Sequence, residues 1–357
     1  MKKLNVAIIG QGRSGKDIHG HFLRSDANQY FDVKYVVDFD ERRRKISEEI
    51  YPGCKTFEKF EDLFGIDDID LVVNSTFSQF HYSVTKSLIE HGFNVLVEKP
   101  FAKSRYECEE LIALAKQKGV LLAVFQQSFL APYYIFSKEL AESGKLGNIK
   151  QVSIRFNGFA RRWDWQTLQK NCAGGIYNTG PHPIGLALGF LDFDENAKVV
   201  YSKLGTALTS GDSDDYAKII MDAPGKPVID IEVTSCDAYS DYNVKLVGDR
   251  GTFKTNIKEY QMTYIVDGEN PERPVIEHFL EDENGKPLYC SEKLIKHTEE
   301  GNFGGTAFDA GTKAMYEDIY FALTEGKPMR ITPYMAMRVI EVIEKVHAEN
   351  PLPLKFL

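Results

Sequence analysis

Over its first 124 residues the chain alternates short apolar runs, at 4–9, 33–37, 71–75, 95–97 and 121–125, with amphipathic stretches such as 84–91 and 106–118. The runs are almost unbroken in their apolarity, the pattern of strands buried on both faces. Strands of that kind, separated by helices, form a parallel sheet covered on each side. Residues 1–124 are therefore expected to form a doubly wound α/β domain.

Directly after the first run stand Gly10, Gln11, Gly12, Arg13, Ser14 and Gly15, followed by a helical stretch that begins near Ser14 and includes Ile18, Phe22 and Leu23. The first glycine allows a tight turn, the second lets backbone approach a pyrophosphate, and the third lets the helix close onto the strand. A helix N-terminus adds attraction for the anion. Asp38 ends the second run. There it accepts hydrogen bonds from adenosine ribose hydroxyls and repels a 2′-phosphate, which favours NAD over NADP. The Arg42, Arg43 and Arg44 run that follows pulls the other way: it offers charge to a phosphate, or forms a solvated helix face.

The fourth run ends in Glu98-Lys99-Pro100. Ligands of open α/β sheets bind at the C-terminal strand ends, so Lys99 carries an ammonium group to the place where chemistry is expected.

Beyond residue 150 the texture changes to alternating β-branched and aromatic runs at 151–156, 217–221, 228–234, 242–247 and 262–266, joined by Gly- and Pro-containing turns. That predicts an α+β domain over 125–357 with an open-faced, mostly antiparallel sheet. Helices are expected at 184–190, 314–324 and 333–347, and a long mobile excursion at 267–305. Within this half, Gly174-Gly175 leads to Asn178 and His182, four apart and on one face if helical. Taken alone, His182 reads more readily as a structural histidine than as a base. Arg161, Trp163, Asp164 and Trp165 precede the glycine pair. Such residues stack on sugar C–H faces and bond hydroxyls, or they form a core-facing strand end with solvated charges. Gln126 and Tyr133 follow the fifth strand and are candidates to line the same cleft.

The 357 residues carry a formal charge of -9 with both signs interspersed, which argues against nucleic acid or a polybasic membrane surface as partner. Five scattered cysteines form no CxxC pair, so neither a disulfide framework nor a zinc site is indicated, and a reducing compartment fits. With no signal-peptide core or apolar span, a cytoplasmic protein is expected, acting on a small molecule without a metal.

The glycine loop, Asn74-Ser75-Thr76-Phe77-Ser78-Gln79-Phe80-His81, Glu98-Lys99-Pro100, the Gly174 to His182 stretch, the Gly248-x-x-Gly251-Thr-Phe turn and the closing Gly326-Lys-Pro occur in an order that resembles the Gfo/Idh/MocA oxidoreductases. The resemblance implies a Rossmann domain joined to an open-faced sheet domain, with nicotinamide between them. Ser75, Thr76, Phe77, His81 and Glu98 would belong to the cofactor side, with Gln126 beside them. Lys99 would contact the reacting hydroxyl or carbonyl, and His182 would move its proton. Asn178, Trp165, Arg161 and Tyr133 would face the substrate, expected to be a sugar or polyol. Asn178 stands where many members have Asp, Phe77 where Pro is usual, Gly185 where an acid is common, and Gln166 where Arg is frequent. The family also implies a homodimer or homotetramer. Two alternatives accompany this reading: a redox-neutral enzyme that cleaves glycosides through transient oxidation, and a regulator that binds dinucleotide without catalysis.

Overall fold

The computed structural model describes residues 2–356. Six strands, β1 (Leu4–Ile9), β2 (Phe31–Val37), β3 (Lys55–Phe57), β4 (Leu71–Asn74), β5 (Val95–Val97) and β6 (Leu122–Val124), form a parallel sheet in the order β3-β2-β1-β4-β5-β6. Val6, Ala7, Ile8, Val36, Val72, Val73 and Leu96 are fully covered, the burial that their unbroken apolarity predicts. β3 was not expected from sequence: three edge residues, none of them fully buried, give no apolar run.

Four helices connect these strands: α1 (Gly20–Arg24), which continues a wider π turn at Arg13–His19, α2 (Glu41–Ile50), α3 (His81–Glu90) and α4 (Arg105–Lys118). Local signals set their ends. Ser104 accepts the Glu107 amide at the start of α4, and Gly119, at φ 67°, closes it in the left-handed conformation that glycine adopts without strain. Strand order reverses between β1 and β4, so the loops after β1, β4, β5 and β6 converge on one crevice.

The second half begins with α5 (Pro132–Glu142) and β7 (Ile149–Asn157). The short α6 (Gly175–Asn178) and then α7 (Pro181–Phe190) follow. Next come β8 (Lys198–Gly205), β9 (Tyr216–Asp222), β10 (Val228–Thr234), β11 (Val244–Gly248), β12 (Gly251–Thr255) and β13 (Glu259–Tyr264). A two-residue hairpin, β14 (Leu280–Glu281) and β15 (Pro287–Leu288), precedes β16 (His297–Asn302), α8 (Thr312–Glu325) and α9 (Pro333–Glu349). Apart from the hairpin, the strands form one sheet ordered β16-β13-β12-β11-β7-β10-β9-β8, antiparallel except where β7 pairs with β10. The excursion expected at 267–305 is thus only partly a loop, because β16 returns to the sheet edge.

One sheet face carries Val152, Ile154, Ile219, Ile231, Leu246 and Phe253 into a core under α5 and α7. The other presents charged residues such as Lys218, paired with Asp230 and Glu232. The two C-terminal helices fasten the halves together. Tyr316 of α8 stacks on Phe22 at 4.8 Å, and α9 packs against α4 as well as α7 and β8. No helix among the described residues is long and apolar enough to cross a membrane.

Candidate active site

A cleft of about 950 Å³ runs along the C-terminal edge of the parallel sheet and is walled on its far side by residues 162–182 and Phe308. Its floor is the glycine loop, and each glycine has a separate reason. A Cβ on Gly10, at φ 89°, would lie 2.5 Å from the Ser75 carbonyl oxygen, and one on Gly15 would lie 1.8 Å from that of Gly10. A Cβ on Gly12 would meet nothing within 4 Å, so the free volume there belongs to the cleft. No side chain caps the helical turn that begins at Arg13, which leaves its first amides for an anion. Open space over Gly12 and uncapped amides fit a dinucleotide pyrophosphate. Gln11, Arg13 and Ser14 complete the loop: Arg13 and Ser14 line the cleft, whereas the Gln11 side chain is buried with its amide unpartnered.

Asp38 follows β2 and has a side chain only 1% exposed. Its Oδ2 accepts the Gln11 amide at 2.7 Å and its Oδ1 the Asp40 amide at 2.9 Å, so it fixes the glycine loop. Of the three arginines that follow, Arg43 lines the cleft, with Nη1 3.5 Å from Asp38 Oδ2. Arg42 turns outward to Asp40, and Arg44 donates to the carbonyls of Asp38 and Phe39.

After β4, Ser75 donates to the carbonyls of Ile9 and Gly10, and the Thr76 hydroxyl to Asn74 Oδ1. His81 links this loop to the next one, with Nδ1 2.7 Å from the Pro100 carbonyl and Nε2 3.2 Å from that of Thr76. Burial holds its imidazole below the usual histidine range. Phe77 meets Trp165 edge to face at 4.7 Å, bridging the two walls.

Glu98 lies beneath, 3% exposed. Its Oε1 lies 3.1 Å from His19 Nε2, and His19 Nδ1 lies 2.8 Å from the Tyr316 hydroxyl. Burial alone would raise the Glu98 carboxyl; the His19 hydrogen bond and the nearby Lys99 and His81 outweigh it and hold the group well below the usual carboxylate range. Lys99 itself is pulled down by burial, a pull opposed by Glu98 and reinforced by Arg13 and Arg162. Its Nζ donates to the Asn178 carbonyl at 2.6 Å.

His182, in the first turn of α7, lies with Nδ1 2.7 Å from Ser128 Oγ, which leaves Nε2 as its free ring nitrogen among the described residues. Burial, and then the Lys99 charge, push it down to about 3, although its ring keeps some contact with the cleft. It is neutral through the physiological range. Asn178 donates Nδ2–H to the Gln166 carbonyl, while its Oδ1 is buried without a partner.

The structure thus brings Lys99, His182, Asn178, Trp165, Phe77 and Asp38 to one cleft, but not every expected residue. Tyr133 is 1% exposed and packed in the core, because α5 turns its ring inward, so it is corrected from substrate contact to core residue. Arg161 points to solvent and is replaced in the cleft by Arg162, which pairs with Asp164. Gln126 is buried behind the wall, and its neighbour Gln127 is the one that lines the cleft. Sequence reading missed Ser128 and Phe308, neither of which carries a local signal. Among the described residues no His, Cys, Asp and Glu side chains group as a metal site.

Residues 4–126 match the family model described as an oxidoreductase family with an NAD-binding Rossmann fold, and residues 134–254 match the GFO/IDH/MocA C-terminal domain. An uncharacterized oxidoreductase of Schizosaccharomyces pombe is 31% identical over 194 residues, 53% of this chain and 52% of that protein. The scyllo-inositol 2-dehydrogenase (NADP(+)) of Bacillus subtilis is 25% identical over 221 residues, 61% of this chain and 60% of its own. A 3-ketoreductase of Actinomadura kijaniata, solved with NADP and TDP-benzene, shares the fold at a TM-score of 0.77 and 16% identity, covering 98% of each chain. With its glycine loop and both matching domains, the chain is an NAD(P)-binding member of the GFO/IDH/MocA oxidoreductase family.

Proposed function

We propose that the protein interconverts a secondary hydroxyl and a ketone of a sugar, inositol or related polyol, with NAD preferred over NADP. The observation that carries the reading is the convergence of three residues on one cleft: Lys99, a neutral His182 and Asn178, whose buried Oδ1 has no partner of its own. Bound NAD(P) supplies the hydride acceptor or donor. Lys99 donates a hydrogen bond to the reacting oxygen and stabilises negative charge as it develops there, an effect worth about 3 kcal/mol for a well-placed group. His182 takes the hydroxyl proton at Nε2 in oxidation and returns it in reduction, with Ser128 fixing the ring through Nδ1. Asn178 Oδ1 accepts a second substrate hydroxyl, and Trp165 offers an aromatic face to sugar C–H bonds. The scyllo-inositol 2-dehydrogenase among the relatives supports a polyol over other alcohols.

The test is NADH or NADPH formation by the purified protein against a panel of inositols, aldoses and other polyols, repeated with His182→Ala. Turnover abolished by the substitution is expected. Absence of turnover with every member, by protein that binds NADH tightly, would overturn the substrate class.

A further inference from the structure

Behind the site lies a carboxyl group that plays no part in the chemistry above. Asp214 sits in the loop between β8 and β9, its side chain fully covered. Its carbonyl accepts the Gly175 amide at 2.7 Å and its Oδ2 the Ile176 amide at 2.8 Å, closing the start of α6. Its Oδ1 has no hydrogen-bond partner; His347 Nε2 on α9 lies 3.8 Å away. The backbone is built around this group. Gly174 passes at φ 124°, and a Cβ there would lie 2.3 Å from Asp214 Oδ1.

The far end of α6 holds the other half of the molecule. The Asn178 carbonyl accepts from Lys99 Nζ at 2.6 Å, and the Tyr177 hydroxyl donates to the Lys103 carbonyl at 3.0 Å. The Tyr177 ring stacks on His347 at 4.9 Å. One four-residue helical turn is thus clamped from behind by Asp214 and His347, and its front edge grips the segment that carries Lys99.

We infer that Asp214 is a positioning residue for Lys99: held between the Ile176 amide and His347, its carboxyl fixes the helical turn whose last carbonyl carries the Lys99 ammonium. Its importance for turnover depends on the role proposed for Lys99, but the positioning itself can be read without any substrate. The titratable groups facing Asp214 are Asp215 in its own loop, Tyr177 on α6 and His347 on α9, with Cys172, Glu107 and Glu344 further round Tyr177. Burial pushes the Asp214 carboxyl up to about 7, against the pull of the Ile176 amide, and burial lowers His347. The clamp therefore changes charge near neutrality. A carboxylate accepts the Ile176 amide more strongly than the neutral acid does.

The experiment is competitive trace acetylation of the whole protein with acetic anhydride, with Lys99 and the surface residue Lys118 quantified by peptide mass spectrometry from about pH 5 to about pH 9. Relative to Lys118, wild-type Lys99 should show an inflection near neutrality that Asp214→Asn removes. Asp214→Ala, which frees the Asn178 carbonyl, should raise Lys99 acetylation about fivefold, as expected for loss of one restraining hydrogen bond. If Asp214→Ala does not fold, Asp214→Asn and His347→Phe, which keeps the stack on Tyr177, decide the question. Variants that bind NADH and give the wild-type Lys99 profile overturn the inference, even where their melting temperature falls. A changed Lys99 profile in protein that turns over no polyol leaves the positioning intact and overturns only the proposed substrate class.

Discussion

Lys99 reaches across the cleft to the main-chain carbonyl of Asn178, 79 positions away in sequence, with Nζ 2.6 Å from the oxygen. A lysine pulled down by burial and held by a single carbonyl keeps its remaining donor positions for a substrate oxygen. Lys99→Ala should lower kcat/KM by about 100-fold or more, because the lost interaction is stronger in the transition state than in the ground state. NADH affinity, measured by fluorescence titration, should stay within about twofold of wild type. Wild-type turnover by the variant would remove Lys99 from the chemistry.

The glycine loop separates binding from stability. Gly12→Ala puts a methyl group into open cleft, at φ −74° where any residue is comfortable, so the melting temperature should hold while NADH affinity falls about tenfold. Gly15→Ala drives a Cβ to 1.8 Å from a backbone oxygen that cannot yield, and should instead lower the melting temperature. Equal effects of the two substitutions on either measurement would sink the distinction.

How far the sequence carries depends on whether a feature is local. β1, β2 and β4 announce themselves because burial on both faces leaves runs such as Val6-Ala-Ile-Ile9. β16 does not, since His-Thr-Glu-Glu-Gly-Asn is strand only because β13 offers it a pairing edge. β8 lies at the opposite edge, with Val200 and Tyr201 more than half exposed, and was missed for the same reason. The site divides likewise. The three glycines and Lys99 are set by their own loops, whereas Ser128 reaches His182 across 54 positions, a match fixed by where β6 ends relative to α7. Tyr133 failed as a substrate residue because proximity to a strand end does not say which way the next helix turns its ring.

His182 should remain neutral far into acid. Its folded value of about 3 lies below the ordinary 6.5, so the folded state favours the uncharged ring. The stability it contributes is present above the ordinary value and is lost as pH falls toward the folded one. The ring signals in a ¹H–¹⁵N spectrum, assigned by their loss in His182→Gln, should stay in the neutral pattern down to about pH 4. Protonation near pH 6.5 would show that water reaches the ring freely and that burial does not set its charge.

The buried chain from Glu98 through His19 to Tyr316, running from the cleft floor into the core, predicts a stability effect. Tyr316→Phe removes a hydroxyl 2.8 Å from His19 Nδ1 and leaves that nitrogen buried without a partner. The expected loss is about 1–2 kcal/mol in denaturant unfolding, with little change in packing because the ring remains. An unchanged midpoint would show that His19 finds another partner.

The proposed preference for NAD rests on two side chains of opposite charge. Asp38 is 1% exposed and already accepts the Gln11 and Asp40 amides, but each carboxylate oxygen keeps a further lone pair for a ribose hydroxyl. Its charge opposes a 2′-phosphate, while Arg43, 3.5 Å away on the cleft wall, attracts one. Arg43→Ala should therefore weaken NADPH binding about tenfold and leave NADH binding nearly unchanged, because only the phosphorylated ribose needs the guanidinium. Asp38→Ser should shift the affinity ratio toward NADPH by a similar factor and also loosen the glycine loop, which loses the acceptor for the Gln11 amide. Fluorescence titration of both variants with NADH and NADPH checks the pair. A ratio that moves in neither variant would place selection elsewhere along the cofactor.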